Sequence, residues 1–243
     1  VVAAKKATSL LKEGMQITVD GFTGKVYEGM AQKVEKAIEP VVPTKMQIKV
    51  IVDLPEYSGR AAKSGCRAVG LVRLEDMIAE SGKHPQWFLN EGKLQEYTLL
   101  LFKGLKRIAD HFDELWVRTS DIRSDEYAHL EGAPPGKEAN PMLGMHGIRY
   151  SLKRQKILEA EILALAKISG MGKKVGLMMP QVISVSDFVS VKKMVEDLGI
   201  GNLKIGVMVE TPAAAWIIED LCKAGIRFIS FGTNDLTQYT LAI

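Results

Sequence analysis

With 243 residues the chain is long enough for one barrel-sized domain or two smaller ones. Its 47% hydrophobic and 25% charged content is that of an ordinary globular protein, and a net charge of +3 suits small anionic ligands while excluding a nucleic-acid footprint. No apolar run approaches the roughly 18 residues of a membrane span, and Val1-Val-Ala-Ala-Lys-Lys6 lacks the apolar core of a signal peptide, so a cytoplasmic protein with no membrane and no nucleic-acid partner is expected. Val1 stands where an initiator Met would, which predicts a piece of a longer protein. Cys66 and Cys222 form neither a disulfide framework nor a metal-ligand spacing, and both read as structural thiols of a reducing compartment.

The first stretch differs from the rest. Ala7-Thr-Ser-Leu-Leu-Lys-Glu-Gly14 predicts a short helix closed by a glycine. The alternation of Gln16-Ile-Thr-Val-Asp-Gly-Phe-Thr-Gly-Lys-Val-Tyr27, with turn residues at Asp20-Gly21 and Thr23-Gly24, predicts a β-hairpin. Such a hairpin buries too little to stand alone, so residues 1–35 are expected to be the end of a preceding domain. Residues 36–45, with Pro40 and Pro43, read as a linker.

From Met46 the pattern becomes alternating strands and helices. Gln47-Ile-Lys-Val-Ile-Val-Asp-Leu54 is the first predicted strand, Ala68-Val-Gly-Leu-Val-Arg73 the second and Leu115-Trp-Val-Arg118 the third. Val175-Gly-Leu-Met-Met179, Lys204-Ile-Gly-Val-Met-Val-Glu210 and Phe228-Ile-Ser-Phe231 complete six. Between them, Leu101, Leu105, Ile108 and Phe112 mark one amphipathic helix, and Leu158, Ile162 and Leu165 another over 155–169. Six βα units imply a parallel sheet covered by helices, open or closed. Closed, the fold is α/β of the (β/α)₈ TIM-type barrel class with about six units present over 46–243 and the active site at the carboxyl ends of the strands.

The chemistry-bearing residues stand at those ends. Arg73 and Arg118 each terminate an apolar strand and match a guanidinium clamp for phosphate or carboxylate; a pair of rim salt bridges, with Glu75 and Asp121, is the alternative. Glu210 ends a strand broken at once by Thr211-Pro212, and Asp235 follows Gly232, Thr233 and Asn234 at the mouth of the last strand. Two carboxylates so placed suit a hard divalent cation, although either could serve as a helix cap. The long loop Asn140-Pro-Met-Leu-Gly-Met-His-Gly-Ile-Arg-Tyr150 suggests an active-site segment. Its His146 reads as a neutral hydrogen-bonding group, a phosphate partner when protonated, or a bystander. Gly170-Met-Gly-Lys-Lys174 and Pro134-Pro-Gly-Lys137 lack the spacing and context of a phosphate loop.

Three motifs, Phe231-Gly-Thr-Asn-Asp-Leu-Thr-Gln238, Gly206-Val-Met-Val-Glu-Thr-Pro212 and Asn140-Pro-Met-Leu-Gly144, resemble the PEP-utilising enzymes, which comprise phosphoenolpyruvate synthases, pyruvate phosphate dikinases and enzyme I of the sugar phosphotransferase system. Arg118-Thr-Ser-Asp-Ile-Arg-Ser-Asp-Glu-Tyr127 looks most like the synthase branch, archaeal synthases in particular, with the dikinase and enzyme I branches as alternatives and a non-enzymatic PEP-binding module behind them. The resemblance implies that residues 1–35 end a swivelling phosphohistidine domain and that the barrel binds pyruvate or phosphoenolpyruvate. It implies the conversion of ATP, pyruvate and water to AMP, phosphate and phosphoenolpyruvate through a phosphohistidine, in a homo-oligomer. By the same resemblance Mg²⁺ falls to Glu210 and Asp235, and substrate to Arg73, Arg118, Glu210, Gly232, Thr233, Asn234 and Asp235. His146 occupies a place where the family usually has arginine, which leaves it a doubtful substrate contact with Arg149 as a nearby substitute. The family's phosphohistidine and catalytic cysteine would lie outside residues 1–243, since neither Cys66 nor Cys222 matches the latter, so this stretch alone is not expected to complete the reaction.

Overall fold

The computed structural model describes residues 6–21, 23–31 and 37–242. The chain divides into two compact units, Val1–Ala37 and Ile38–Ile243. Residues 32–36, where the expected first domain ends, lie outside the described residues.

In the first unit, helix α1 (Ala7–Leu10) precedes an antiparallel hairpin of β1 (Ile17–Asp20) and β2 (Lys25–Glu28). The helix stops four residues short of Gly14, whose φ of +80° belongs to the following turn rather than to a helix cap. Asp20 closes the hairpin: its carboxylate accepts from the Thr23 hydroxyl at 2.6 Å and the Thr23 N–H at 3.2 Å, an Asx-type turn.

The second unit runs β3 (Val50–Ile51), α2 (Ser58–Ala62), β4 (Ala68–Arg73), α3 (Glu75–Glu80), α4 (Pro85–Asn90), α5 (Leu94–Ala109) and β5 (Glu114–Arg118). It continues with α6 (Gly147–Lys153), α7 (Gln155–Ser169), β6 (Lys174–Met179), α8 (Val185–Asp197), β7 (Lys204–Val209), α9 (Pro212–Trp216), α10 (Ile218–Ala224), β8 (Ile229–Phe231) and α11 (Thr233–Leu241). The six strands β3 to β8 pair in sequential order and all in parallel. The sheet curls as part of a (β/α)₈ TIM-type barrel. All strand carboxyl ends therefore share one rim.

The helical face of the sheet carries the main core. Val72, Leu115, Val117, Leu177 and Val207 are buried in one cluster with Leu101, Leu105 and Ile108 of α5 and Leu158, Ile162 and Leu165 of α7. Each such Leu, Ile or Val withdrawn from water contributes about 1.5–3 kcal/mol, so these two stripes hold α5 and α7 to the sheet. Helix α8 begins in a capping box, with the Asp187 N–H donating to Ser184 Oγ and the Ser184 N–H to Asp187 Oδ2 at 3.0 Å.

The inner face is filled by aromatics. Trp116 lies opposite Gly176 in register, and a Cβ at Gly176 would collide with its ring. Phe228 crowds Gly206 in the same way, and the two rings meet edge to face at 4.1 Å. This plug lies one layer below Arg118, leaving the rim open above it.

The first predicted strand is longer than the observed one. Only Val50 and Ile51 form strand, with a register shift between them; the Val52 N–H adds one bond to the Leu71 carbonyl at 3.2 Å, and Ile51 is 61% exposed. Asp53, taken for a strand residue, instead accepts from the backbone N–H and the Nη1 of Arg73 at 3.0 and 3.1 Å.

Candidate functional site

A cavity of about 510 Å³ opens on the rim of strand ends. Arg73 and Arg118 are in register on neighbouring strands β4 and β5. Glu210 follows β7, and Gly232 joins β8 to α11, whose first turn carries Thr233, Asn234 and Asp235. With His146 at the start of α6, all eight residues singled out from the sequence line this one cavity.

The carboxylates converge. One oxygen each from Asp121, Glu210 and Asp235 lie within 4.8 Å of one another. Burial pushes Glu210 up to about 7 against the pull of the Gln181 N–H, and the neighbouring Asp121 and Asp235 charges add to the rise. Asp235 is raised too, by burial and then by Asp121. Acids crowded until ionisation is costly are the donor set a hard dication satisfies, because its charge removes the repulsion. Neither acid caps a helix: Thr211 caps α9, its Oγ1 accepting from Ala214 N–H at 3.0 Å, and Gly232 precedes α11. Gly232 is needed for packing, since a Cβ there would collide with the Glu210 side chain.

Gln181 ties the acids together. Its N–H donates to Glu210 Oε1 at 2.6 Å and its Nε2 to Asp235 Oδ2 at 2.9 Å. Its own Oε1 accepts from Tyr239 OH at 2.9 Å. Gln181 is fully buried with φ of +59°, a left-handed conformation that non-glycine residues seldom adopt. Gly147, also at positive φ, leaves room for it. The strain is offset by three hydrogen bonds.

Arg118 does what both sequence readings allow. Its Nη2 donates to Glu75 Oε1 at 2.9 Å and its Nη1 stands 3.6 Å from Asp121, yet the side chain still lines the cavity. Its buried Nε has no partner among the described residues, which leaves one donor unused. Arg73 pairs with Asp53 and is 45% exposed at the side chain.

The environment of His146 decides its charge. Nδ1 faces Asp121 Oδ1 at 2.6 Å and Nε2 faces the Met142 carbonyl at 2.8 Å. Both neighbours only accept, so both ring nitrogens must carry hydrogen. Burial pulls the imidazole down, but the hydrogen bond and charge of Asp121 outweigh it and leave it raised; Asp121 is lowered in return despite its own burial. His146 is thus a cation facing an acid of the carboxylate cluster. Arg149 is not a substitute: its guanidinium donates to Gly144 O at 2.8 and 3.1 Å and does not line the cavity.

A family model described as the PEP-binding domain of PEP-utilising enzymes matches residues 28–243. The chain belongs to the PEP-utilising enzymes. It is 41% identical over 255 residues to a phosphoenolpyruvate synthase named as probable in Archaeoglobus fulgidus, covering 100% of the chain and 34% of that relative. It is 44% identical over 258 residues to another from Methanocaldococcus jannaschii, covering 100% and 22%. It is 41% identical over 264 residues to the phosphoenolpyruvate synthase of Pyrococcus furiosus, covering 100% and 32%. The chain therefore spans about a third or less of the length of these relatives. A multiphosphoryl transfer protein of Xanthomonas campestris is 32% identical over 270 residues. No helix among the described residues is long and apolar enough to cross a membrane.

In this PEP-utilising domain the sequence left several site residues unremarked. Gln181 follows Pro180 just beyond the end of β6, on the same rim as Glu210 beyond β7. Glu161 lies three residues after Leu158 and four before Leu165, on the apolar stripe of α7, and an acid on such a stripe is itself a signal. It is fully buried, accepting from Tyr97 OH at 2.9 Å, Ser120 Oγ at 2.6 Å and Ser120 N–H at 3.1 Å. Glu161 thereby anchors the strand exit that leads to Asp121.

Burial pushes Glu161 up to about 7 from 4.5. A carboxyl that holds its proton more tightly folded than unfolded favours folding at low pH, and that contribution is lost as pH rises from about 4.5 to about 7. The loss is about 3 kcal/mol. Glu161→Gln, which presents the same shape to Ser120 and Tyr97, should remove that segment of the pH dependence. Urea unfolding of both proteins at pH 5 and pH 7.5 reads it; parallel pH profiles would show that Glu161 is not the buried acid responsible.

Proposed function

We propose that the cavity binds pyruvate and phosphoenolpyruvate for a phosphoenolpyruvate synthase, converting ATP, pyruvate and water to AMP, phosphate and phosphoenolpyruvate through a phosphohistidine carried by a swivelling domain. Residues 1–35 are the end of that domain in this reading, 36–45 the linker and 46–243 the barrel. The observation that carries it is the meeting, in one cavity of a PEP-utilising domain, of three carboxylates with two arginines at adjacent strand ends. The higher identity to proteins named synthases than to a multiphosphoryl transfer protein favours the synthase reaction over the others of the family.

The donor set fits Mg²⁺. Glu210 and Asp235 would hold it, with Asp121 beside them, and when bound it supplies Lewis-acid polarisation of substrate oxygens. The chain's own groups do the rest. Gln181 holds Glu210 and Asp235 by one oxygen each, which leaves their other oxygens for the ion. Arg73 and Arg118 face the transferring phosphoryl group and offset its charge, Arg118 through donors beyond its bonds to Glu75. The backbone N–H groups of Thr233 and Asn234, in the first turn of α11, have no partners within the helix and present donors to a carboxylate or phosphoryl oxygen. His146 acts by holding Asp121 ionised and aligned, a positioning role. Phosphoryl transfer needs little more from the protein than such placement and charge.

The test uses the full-length protein with ATP and pyruvate. The expected result is phosphoenolpyruvate with one AMP and one phosphate per turnover, inhibited by oxalate competitively with pyruvate and only when Mg²⁺ is present. No phosphoenolpyruvate, or oxalate inhibition indifferent to Mg²⁺, would overturn the reading.

A further inference from the structure

A second cavity, of about 310 Å³, lies behind the first, and Arg123 and Tyr127 line both. Its wall comes from the loop after β5, from His84 ahead of α4 and from α6 with the residue that follows it. Besides Arg123, which is paired with Asp125 and Glu126, three cations stand on it: Lys137, Lys153 and Arg154. Among the described residues none of the three has a carboxylate at ion-pair distance, and Arg154 Nε donates only to the neutral Gln86 Oε1, at 2.8 Å. The acid on this wall, Glu138, is already taken by Ser124 Oγ and the Met145 N–H, both at 2.7 Å. The one acidic charge is spoken for, and three basic ones are not.

The rest of the wall is apolar. Ile122, Pro134, Pro135 and Met145 contribute hydrocarbon, and the rings of Tyr150 and His84 meet edge to face at 6.1 Å. Burial holds His84 down to about 4, so its ring is neutral, with Nδ1 accepting from the Gln86 N–H at 3.1 Å. A site of this make-up rejects a bare inorganic ion, which would leave the apolar wall wet, and a neutral hydrocarbon, which would leave the cations unanswered. We propose that this cavity is a binding site for a small organic anion, a phosphate, sulfonate or carboxylate head carried on an apolar ring or chain, distinct from the cavity of Glu210 and Asp235. The head meets Lys137, Lys153 and Arg154, and the body lies against Pro134, Met145 and the Tyr150 ring. It stands independently of the proposed reaction.

Naphthalene-1-sulfonate is a suitable probe, titrated calorimetrically into the full-length protein with saturating Mg²⁺ and oxalate. One site per chain is expected, with 1-naphthol and sodium sulfate each binding at least tenfold more weakly. The double charge reversal Lys137→Glu with Lys153→Glu should weaken the probe at least tenfold; both residues are exposed, so folding is not at stake. Ala133→Trp should weaken it likewise by filling the cavity while keeping every charge. Binding as tight in either variant, equal affinity for 1-naphthol, or no saturable binding would overturn the proposal.

Discussion

Glu210→Gln in the full-length protein should reduce phosphoenolpyruvate formation by at least ~10³-fold, about 4 kcal/mol of transition-state stabilisation, while leaving the fold at least as stable as before. The two effects have one cause. Glu210 is 1% exposed and lies with Asp121 and Asp235 in a cluster whose oxygens fall within 4.8 Å. An amide keeps the shape and can still accept from the Gln181 N–H, but it removes a charge from a crowded, desolvated set. Without an ion that removal relieves repulsion; for an ion it deletes a ligand. Steady-state assay and thermal unfolding of the same preparation read both effects. Retained turnover would overturn the metal assignment, and a large fall in melting temperature would show that Glu210 is chiefly structural.

Arg118→Ala carries the other large effect, this time on stability. Arg118 is the partner of Glu75, whose side chain is 4% exposed, and stands by Asp121 at 8%. Deleting one member of a buried pair strands the other's charge and costs about 3–5 kcal/mol. Glu75 Oε1 would retain only the Asp121 N–H, and its Oε2 already lacks a partner. The loss should shrink as pH falls, because burial already raises the Glu75 carboxyl above its ordinary range and its protonation removes the stranded charge. Arg118→Lys separates structure from binding: a lysine restores charge near Glu75 but not the planar fork. It should recover most of the stability while oxalate affinity stays at least tenfold weaker. Urea unfolding and oxalate calorimetry on the three proteins measure this; oxalate affinity intact in Arg118→Lys would reduce Arg118 to a structural ion pair.

What could be read from the residues alone follows from what a strand end means physically. In a parallel sheet, an apolar run that stops at a charged residue places that residue on the rim, so Arg73, Arg118 and Glu210 were legible as members of one surface before any coordinates. The motif at Gly232 to Asp235 was legible for the same reason. Asp121 was legible as a salt-bridge partner at the rim but not as a member of the acid cluster, because it lies three residues beyond β5, and bonds of Glu161 to Ser120 and of Glu75 to the Asp121 N–H bring it back over the cavity. Gln181 could be placed on the rim but not given its role, which depends on a positive φ that no side-chain pattern encodes. The charge of His146 was open because composition does not say what its two nitrogens face. The first strand was drawn too long because alternation is a property of one strand and a ladder is a property of two; β3 has a neighbour in β4 and a shifted register.

In the proposed reading Asp121, Glu210 and Asp235 form a dication site facing the two arginines. Titration of Mn²⁺ into the protein, followed by the paramagnetic resonance signal of the free ion, tests it without reference to turnover. One bound ion per chain is expected at this site, displaced by Mg²⁺ and weakened at least tenfold in both Asp235→Asn and Glu210→Gln. Equal Mn²⁺ affinity in the wild type and both variants would contradict it.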